Sequence, residues 1–224
     1  MAMNRTYGGP SELPSVVPLF PLDGALLLPR CQLPLNVFEP RYLDMVDAAL
    51  KGERVIGLIQ PIPALVTTAN PALLDVGCVG RITEFAESGD GRYLVTLTGI
   101  ARFRLLDEVK ADTAYRQGKV DFEAFANDFT PGYGADDVDR ATLLRTLATY
   151  LDANKLEADW ASIKDAPNEA LVNALAMMSP FGAREKQALL EAPSLAARAD
   201  MLVAVTEMAI ARTGSGGEGD GPLQ

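Results

Sequence analysis

Two hydrophobic repeats divide this 224-residue chain. Between about residues 16 and 126, apolar residues come in short runs or alternate with polar ones, which is the two-residue repeat of strands. Beyond residue 135 they recur every three or four positions, the repeat of helices. The first extended stretches, residues 16–22 and 25–37, are broken by Pro18, Pro21, Pro29 and Pro34. Proline brings no N–H to a ladder, so these strands are expected to be short, bulged or at a sheet edge. Asp23-Gly24 supplies the turn between them. A helix is predicted over residues 38–50, with Pro40 in its first turn, Tyr42, Met45, Val46, Ala49 and Leu50 on one stripe, and Gly52 just past its end. Residues 55–60 read as a buried strand and 61–71 as a proline-bearing loop. A hairpin follows, from Leu74 to Phe85 and from Arg92 to Leu106, turning at Ser88-Gly89-Asp90-Gly91. In its second arm Tyr93, Val95, Leu97, Ala101, Phe103 and Leu105 alternate with Thr96, Thr98, Arg102 and Arg104, which predicts one buried and one wetter face. A last strand is predicted over residues 119–126, with Val120, Phe122 and Ala124 on one side.

Two glycines and a proline between Phe129 and Gly134 mark a change of character. Asp136, Asp137 and Asp139 then crowd a helix start, where carboxylates favour the positive end of the dipole. Val138, Ala141, Leu144, Ala148 and Leu151 give that helix its stripe. Further helices are predicted after Pro167-Asn168, with Asn168 as a candidate cap, up to Pro180, then over residues 183–191, and from a Ser194 cap to about Arg212. The pattern thus predicts an α+β chain: a leader (1–12), a β-rich subdomain (13–130), a linker (131–135) expected to be protease-sensitive, a helical subdomain (136–212) and a glycine-rich disordered tail (213–224).

Composition removes chemistry. No histidine occurs, so Ser-His or Cys-His nucleophile pairs, His general bases and His-ligated zinc are out. Cys31 and Cys78 are widely separated and form no C-x-x-C, and each is expected to pack as a small apolar residue. No P-loop motif and no strand-borne G-x-G-x-x-G is present. Gly77-Cys78-Val79-Gly80 falls inside a strand pattern, and residues 87–91 read as a turn in place of a calcium loop. A serine nucleophile would need a lysine base; Ser179 with Lys186 is the tempting pair, but Ser179 precedes Pro180 at a helix end, where a local hydrogen bond is the ordinary role. The formal charge of −10 opposes binding to a polyanion, although Arg81, Arg92, Arg102 and Arg104 lie near one hairpin. No signal-like run and no stretch of about 18 apolar residues is seen, so a cytoplasmic location without membrane contact is expected. No cofactor, metal or catalytic residue is expected.

Several segments in order resemble the N-terminal domain of the ATP-dependent protease Lon. They are Val17-Pro18-Leu19-Phe20-Pro21-Leu22, Leu33 to Tyr42, Val76 to Ile82 with Leu97 to Phe103, and Ser179-Pro180-Phe181 followed by Glu185 to Glu191, Arg198 and Leu202. The resemblance runs from about Leu13 to Arg212. It implies a PUA-like β-rich subdomain followed by a helical one, and a role in engaging protein substrates, with ATPase and protease domains that this chain does not contain and no catalytic residues to carry over. The leading expectation is therefore a non-catalytic module that recognises protein or unfolded polypeptide. The alternative is a PUA-like binder of nucleic acid or a small ligand. For a protein partner the expected surface is Leu26, Leu27, Leu28, Phe38 and Tyr42. Three consecutive leucines in an extended segment should send at least one side chain away from the core, and Phe38 and Tyr42 lie just downstream.

Overall fold

The computed structural model describes residues 5–62 and 70–215. Its strands are β1 (Val16–Pro21), β2 (Gln32–Val37), β3 (Val55–Pro61), β4 (Leu73–Glu87), β5 (Tyr93–Val109) and β6 (Arg116–Asp121). They form one sheet in the order β2-β5-β4-β3-β1-β6, with β6 also pairing to β5. That second pairing closes β5, β4, β3, β1 and β6 into a ring. The β1–β3 pair is parallel; the others are antiparallel. The first half of β5 carries β2 and the second half carries β6. β2 hangs from the ring as an edge strand, with no strand on its other side among the described residues.

The helices are α1 (Pro40–Lys51), α2 (Arg140–Asn154), α3 (Trp160–Asp165), α4 (Asn168–Met178), α5 (Ala183–Glu191) and α6 (Leu195–Ser215). α1 lies in the β region and buries Tyr42, Met45, Val46 and Ala49 of the predicted stripe, with Leu50 half-buried. Gly52 ends it by donating to the Ala48 and Ala49 carbonyls. Asp139 caps α2 by accepting from Thr142 N. Its buried face carries Leu143 and Thr146, about one position off the predicted stripe. α3 was not foreseen in the pattern, and residues Glu123–Phe129 form 3-10 turns, leaving Ala124 exposed. The last helix runs to Ser215, past the expected end at Arg212; residues 216–224 of the expected tail, residues 1–4 of the leader and residues 63–69 of the expected loop lie outside the described residues.

Two apolar cores follow from this arrangement. One fills the ring and includes Val17, Leu19, Ile59, Val79, Ala101 and Phe103. The other covers its outside and joins Leu26–Leu28, Tyr42, Cys78 and Leu97 to Val172, Leu189 and Leu202 of the helices. β and helical regions thus share one core. Polar clamps reinforce the contact. Gln60 Nε2 donates to Ala183 O and Gln187 Oε1, and Gln187 Nε2 donates to Val76 O. Arg102 reaches from β5 to donate to Leu190 O and Ala192 O at the end of α5.

Two expectations are corrected here. Residues 25–29 form no strand: they cross the outside of the ring, so all three leucines sink into the second core and none faces solvent. The approach is close, since a Cβ on Gly99 would stand 2.1 Å from Leu28 O, and only glycine fits. Arg102, predicted on a wetter face, is buried as well, because the face opposite the ring interior is covered by Asp128 and α5.

Candidate recognition cleft

After β2, Glu39, with extended backbone, leads into the Pro-initiated α1. This places Phe38, Arg41 and Tyr42 beside the ends of β1 and β3. Together they border a cavity of about 280 Å³. Its floor is aromatic: the Phe20 and Tyr42 rings lie 4.4 Å apart, centroid to centroid. Phe38 stands at the rim with 62% of its surface exposed. The Arg41 guanidinium sits 4.5 Å over the Tyr42 ring and 2.8 Å from the Glu39 carboxylate, so its charge is locally balanced. Across the cavity, Arg116 of β6 donates to Pro71 O at 2.7 Å and pairs with Glu108. Burial raises the Tyr42 hydroxyl pKa, against the opposing pull of Arg41, so the ring stays a neutral phenol at physiological pH.

The described lining contains no serine, threonine, cysteine or lysine, hence no side-chain nucleophile of those kinds. No group of three or more His, Cys, Asp or Glu able to hold a metal occurs among the described residues. The cavity can enclose an apolar or aromatic side chain of a ligand and exclude water from it. The unpaired edge of β2 runs into it through Asn36 and Val37. An extended peptide added to that edge would deliver side chains to the cleft, while Pro34, without an N–H, blunts part of the edge.

Of the five residues expected to form a binding surface, Phe38 and Tyr42 meet here. Leu26, Leu27 and Leu28 do not: they are core. Sequence reasoning missed Phe20, Pro61, Pro71 and Arg116, which come from separate strands and flanking segments; no local pattern links them. The other candidates resolve into local roles. Ser179 Oγ donates to Leu175 O, one turn back in α4. The turn at 88–91 is held by Ser88, which bonds Arg92 O and Asp90. Arg81 is buried and donates to Tyr7 Oη and Glu53 O, so it and Arg102 withdraw from the basic cluster imagined near the hairpin. Cys31 is half-buried and Cys78 buried, both as free thiols. No described helix is long and apolar enough to cross a membrane.

The helices offer a second apolar recess of about 250 Å³ between α2, α4 and α6, bordered by Leu147, Tyr150, Phe181 and Met178, the last 82% exposed. It lacks an adjoining strand edge.

Residues 16–206 match the family described as the ATP-dependent protease La (LON) substrate-binding domain. A Lon protease of Anaeromyxobacter dehalogenans (strain 2CP-C) is 28% identical over 111 residues, which are 49% of this chain and 13% of that protein. A Lon protease of Dictyoglomus thermophilum is 22% identical over 176 residues, 79% of this chain and 21% of that protein. The chain therefore spans a small fraction of the length of these curated relatives. Among solved structures, a Lon N-terminal domain protein from Xanthomonas campestris superposes with a TM-score of 0.60 at 23% identity, covering 84% of this chain and 97% of that one. The N-terminal domain of a Mycobacterium avium complex Lon protease gives 0.62 at 18% identity, covering 86% and 98%. The same mixed α+β fold is present in all three.

Proposed function

Because the chain belongs to the family of Lon substrate-binding domains, we propose that it is a protein-recognition module that binds unfolded polypeptide in the cleft between Phe20, Phe38 and Tyr42, and that it binds without cutting. The observation that carries this reading is the union of an aromatic-floored cavity with an unpaired strand edge. Main-chain bonds to β2 would supply sequence-tolerant affinity and the cavity a preference for apolar side chains. The non-catalytic part of the reading is supported by the region matched, which is the substrate-binding domain and not an ATPase or protease domain. The 224 residues also contain neither a P-loop nor any histidine. Protein is favoured over nucleic acid as the partner by the charge of −10 and by the burial of Arg81 and Arg102.

The test is fluorescence anisotropy with a labelled, carboxymethylated polypeptide that cannot fold, compared with the native form of the same polypeptide. Saturable binding of the unfolded form alone is expected. Phe38→Ala should weaken it about tenfold, the equivalent of roughly 1.4 kcal/mol and within the range for covering one aromatic side chain. Met178→Ala, in the helical recess, should leave it unchanged. The opposite pattern, loss with Met178→Ala and none with Phe38→Ala, moves the site to the helices.

A further inference from the structure

β2 reaches its free edge with one main-chain donor missing. Gly99 N donates to Cys31 O at 2.9 Å, so Gln32 and Thr98, the first partners of β2 and β5, face each other as a pair without mutual hydrogen bonds. Such pairs alternate with bonded ones along an antiparallel ladder. Leu33, Leu35 and Val37 therefore bond to β5. The main-chain groups of Gln32, Pro34 and Asn36 point the other way, to the side on which the described residues place no strand. Pro34 obeys this parity: having no N–H, it lies opposite Thr96 at a position where the ladder to β5 requires none. The side chains of Gln32, Pro34 and Asn36 are exposed as well.

The edge thus offers carbonyls at Gln32, Pro34 and Asn36 but N–H donors at Gln32 and Asn36 alone. A rise of about 3.4 Å per residue sets these donors roughly 14 Å apart, where an uninterrupted edge repeats a donor about every 7 Å. Asn36, at one end, borders the Phe38 cleft; Gln32 is at the other end of the strand. Between them the proline ring puts a carbon where the hydrogen would be. An N–H···O bond closes to about 2.9 Å and a C–H···O contact only to about 3.3–3.6 Å. A chain laid along β2 is therefore held off at its middle and has one carbonyl without a donor. This is so for either direction of the added chain, because the donor is missing in both.

We propose that Pro34 limits how tightly β2 holds an unfolded polypeptide, by withholding the central donor of the free edge, so that a bound segment is tied at two points, Gln32 and Asn36, with a loose middle. The proposal rests on the recognition reading above and adds to it which main-chain groups do the holding and which residue keeps the hold weak. Two separated contacts release more readily than a continuous ladder of the same length, because each opens without the other. Pro34 is in this sense an affinity-setting residue: it touches the ligand, and what it contributes is a bond not made.

The experiment measures equilibrium anisotropy and stopped-flow dissociation of the labelled, carboxymethylated polypeptide with the full chain and with Pro34→Val, Pro34→Ala and Gln32→Pro, alongside thermal melting of each. Restoring the donor should tighten binding about three- to tenfold, the size of one added hydrogen bond, mostly as slower dissociation. Pro34→Ala should share the gain with Pro34→Val, which assigns it to the N–H and not to the new side chain. Gln32→Pro, which deletes a donor at the end of the strand away from the Phe38 cleft, should weaken binding by a similar factor. Each altered N–H faces away from β5, so the melting temperatures should stay within a few degrees of wild type. Wild-type affinity in both Pro34 variants, tightening by Pro34→Val alone, or wild-type affinity in a folded Gln32→Pro overturns the proposal and leaves the recognition reading standing. Absence of saturable binding by wild type and by every variant removes the recognition reading, and this proposal with it.

Discussion

Replacing Asp128 with alanine is the sharpest probe of how the helices are held against the ring. Its carboxylate accepts three hydrogen bonds from Arg102: from the main-chain N at 2.9 Å, from Nε at 2.9 Å and from Nη2 at 2.8 Å. Both side chains are almost wholly buried, so water cannot replace the missing partner. Arg102 would remain fixed by Leu190 O and Ala192 O and by the Phe125 ring 4.5 Å away, cationic and beside Arg198. Removing one member of a buried ion pair costs about 3–5 kcal/mol. The whole folding free energy of a domain is only about 5–15 kcal/mol. At roughly 2–4 °C per kcal/mol for a chain of this size, the melting temperature should fall by about 6–20 °C. Urea unfolding of wild type and Asp128→Ala gives the free-energy difference from the midpoint shift at constant slope. A loss below about 1 kcal/mol, the size expected of an exposed pair, would refute the claim that this pair is buried and unreplaced.

Two further outcomes follow from burial. Leu27→Ala should cost about 2–5 kcal/mol in the same urea assay, because Leu27 is core, whereas Phe38→Ala should stay within about 0.5 kcal/mol; equal effects would mean that one of them is misplaced. For the thiols, burial raises both pKa values, aided at Cys31 by Glu169. Since the thiolate is the reactive form, alkylation of Cys31 in the native protein should be slow at pH 7.5 and accelerate as pH rises, while Cys78 should react only after denaturant is added. Mass spectrometry of the alkylated protein checks both, and native labelling of Cys78 at pH 7.5 would contradict it.

The sequence showed what is local and repetitive. The α1 stripe, its proline start and its glycine end are read directly from spacing, as are the β4–β5 hairpin and the cap at Ser194. It misled where a side chain's surroundings come from far along the chain. Leu26–Leu28 look like an over-apolar strand, yet they are a covering segment, because Gly99 lets their backbone lie against β5. Arg102 alternates onto the polar face, but that face is closed by Asp128 and by the end of α5, some 90 residues on. Half of the cleft was legible for the same reason. Phe38 and Tyr42 are neighbours in sequence, whereas Phe20, Pro71 and Arg116 join them only through the closing of the sheet.

Hydrogen exchange of the full chain, measured by mass spectrometry with and without saturating unfolded polypeptide, tests the recognition reading most directly. The account predicts slowed exchange in β2 (Gln32–Val37) and in the adjoining residues 20–23 and 38–42, as ligand bonds occupy the free edge and cover the cleft. Unchanged exchange across those segments, with new protection confined to α2, α4 and α6, would contradict it.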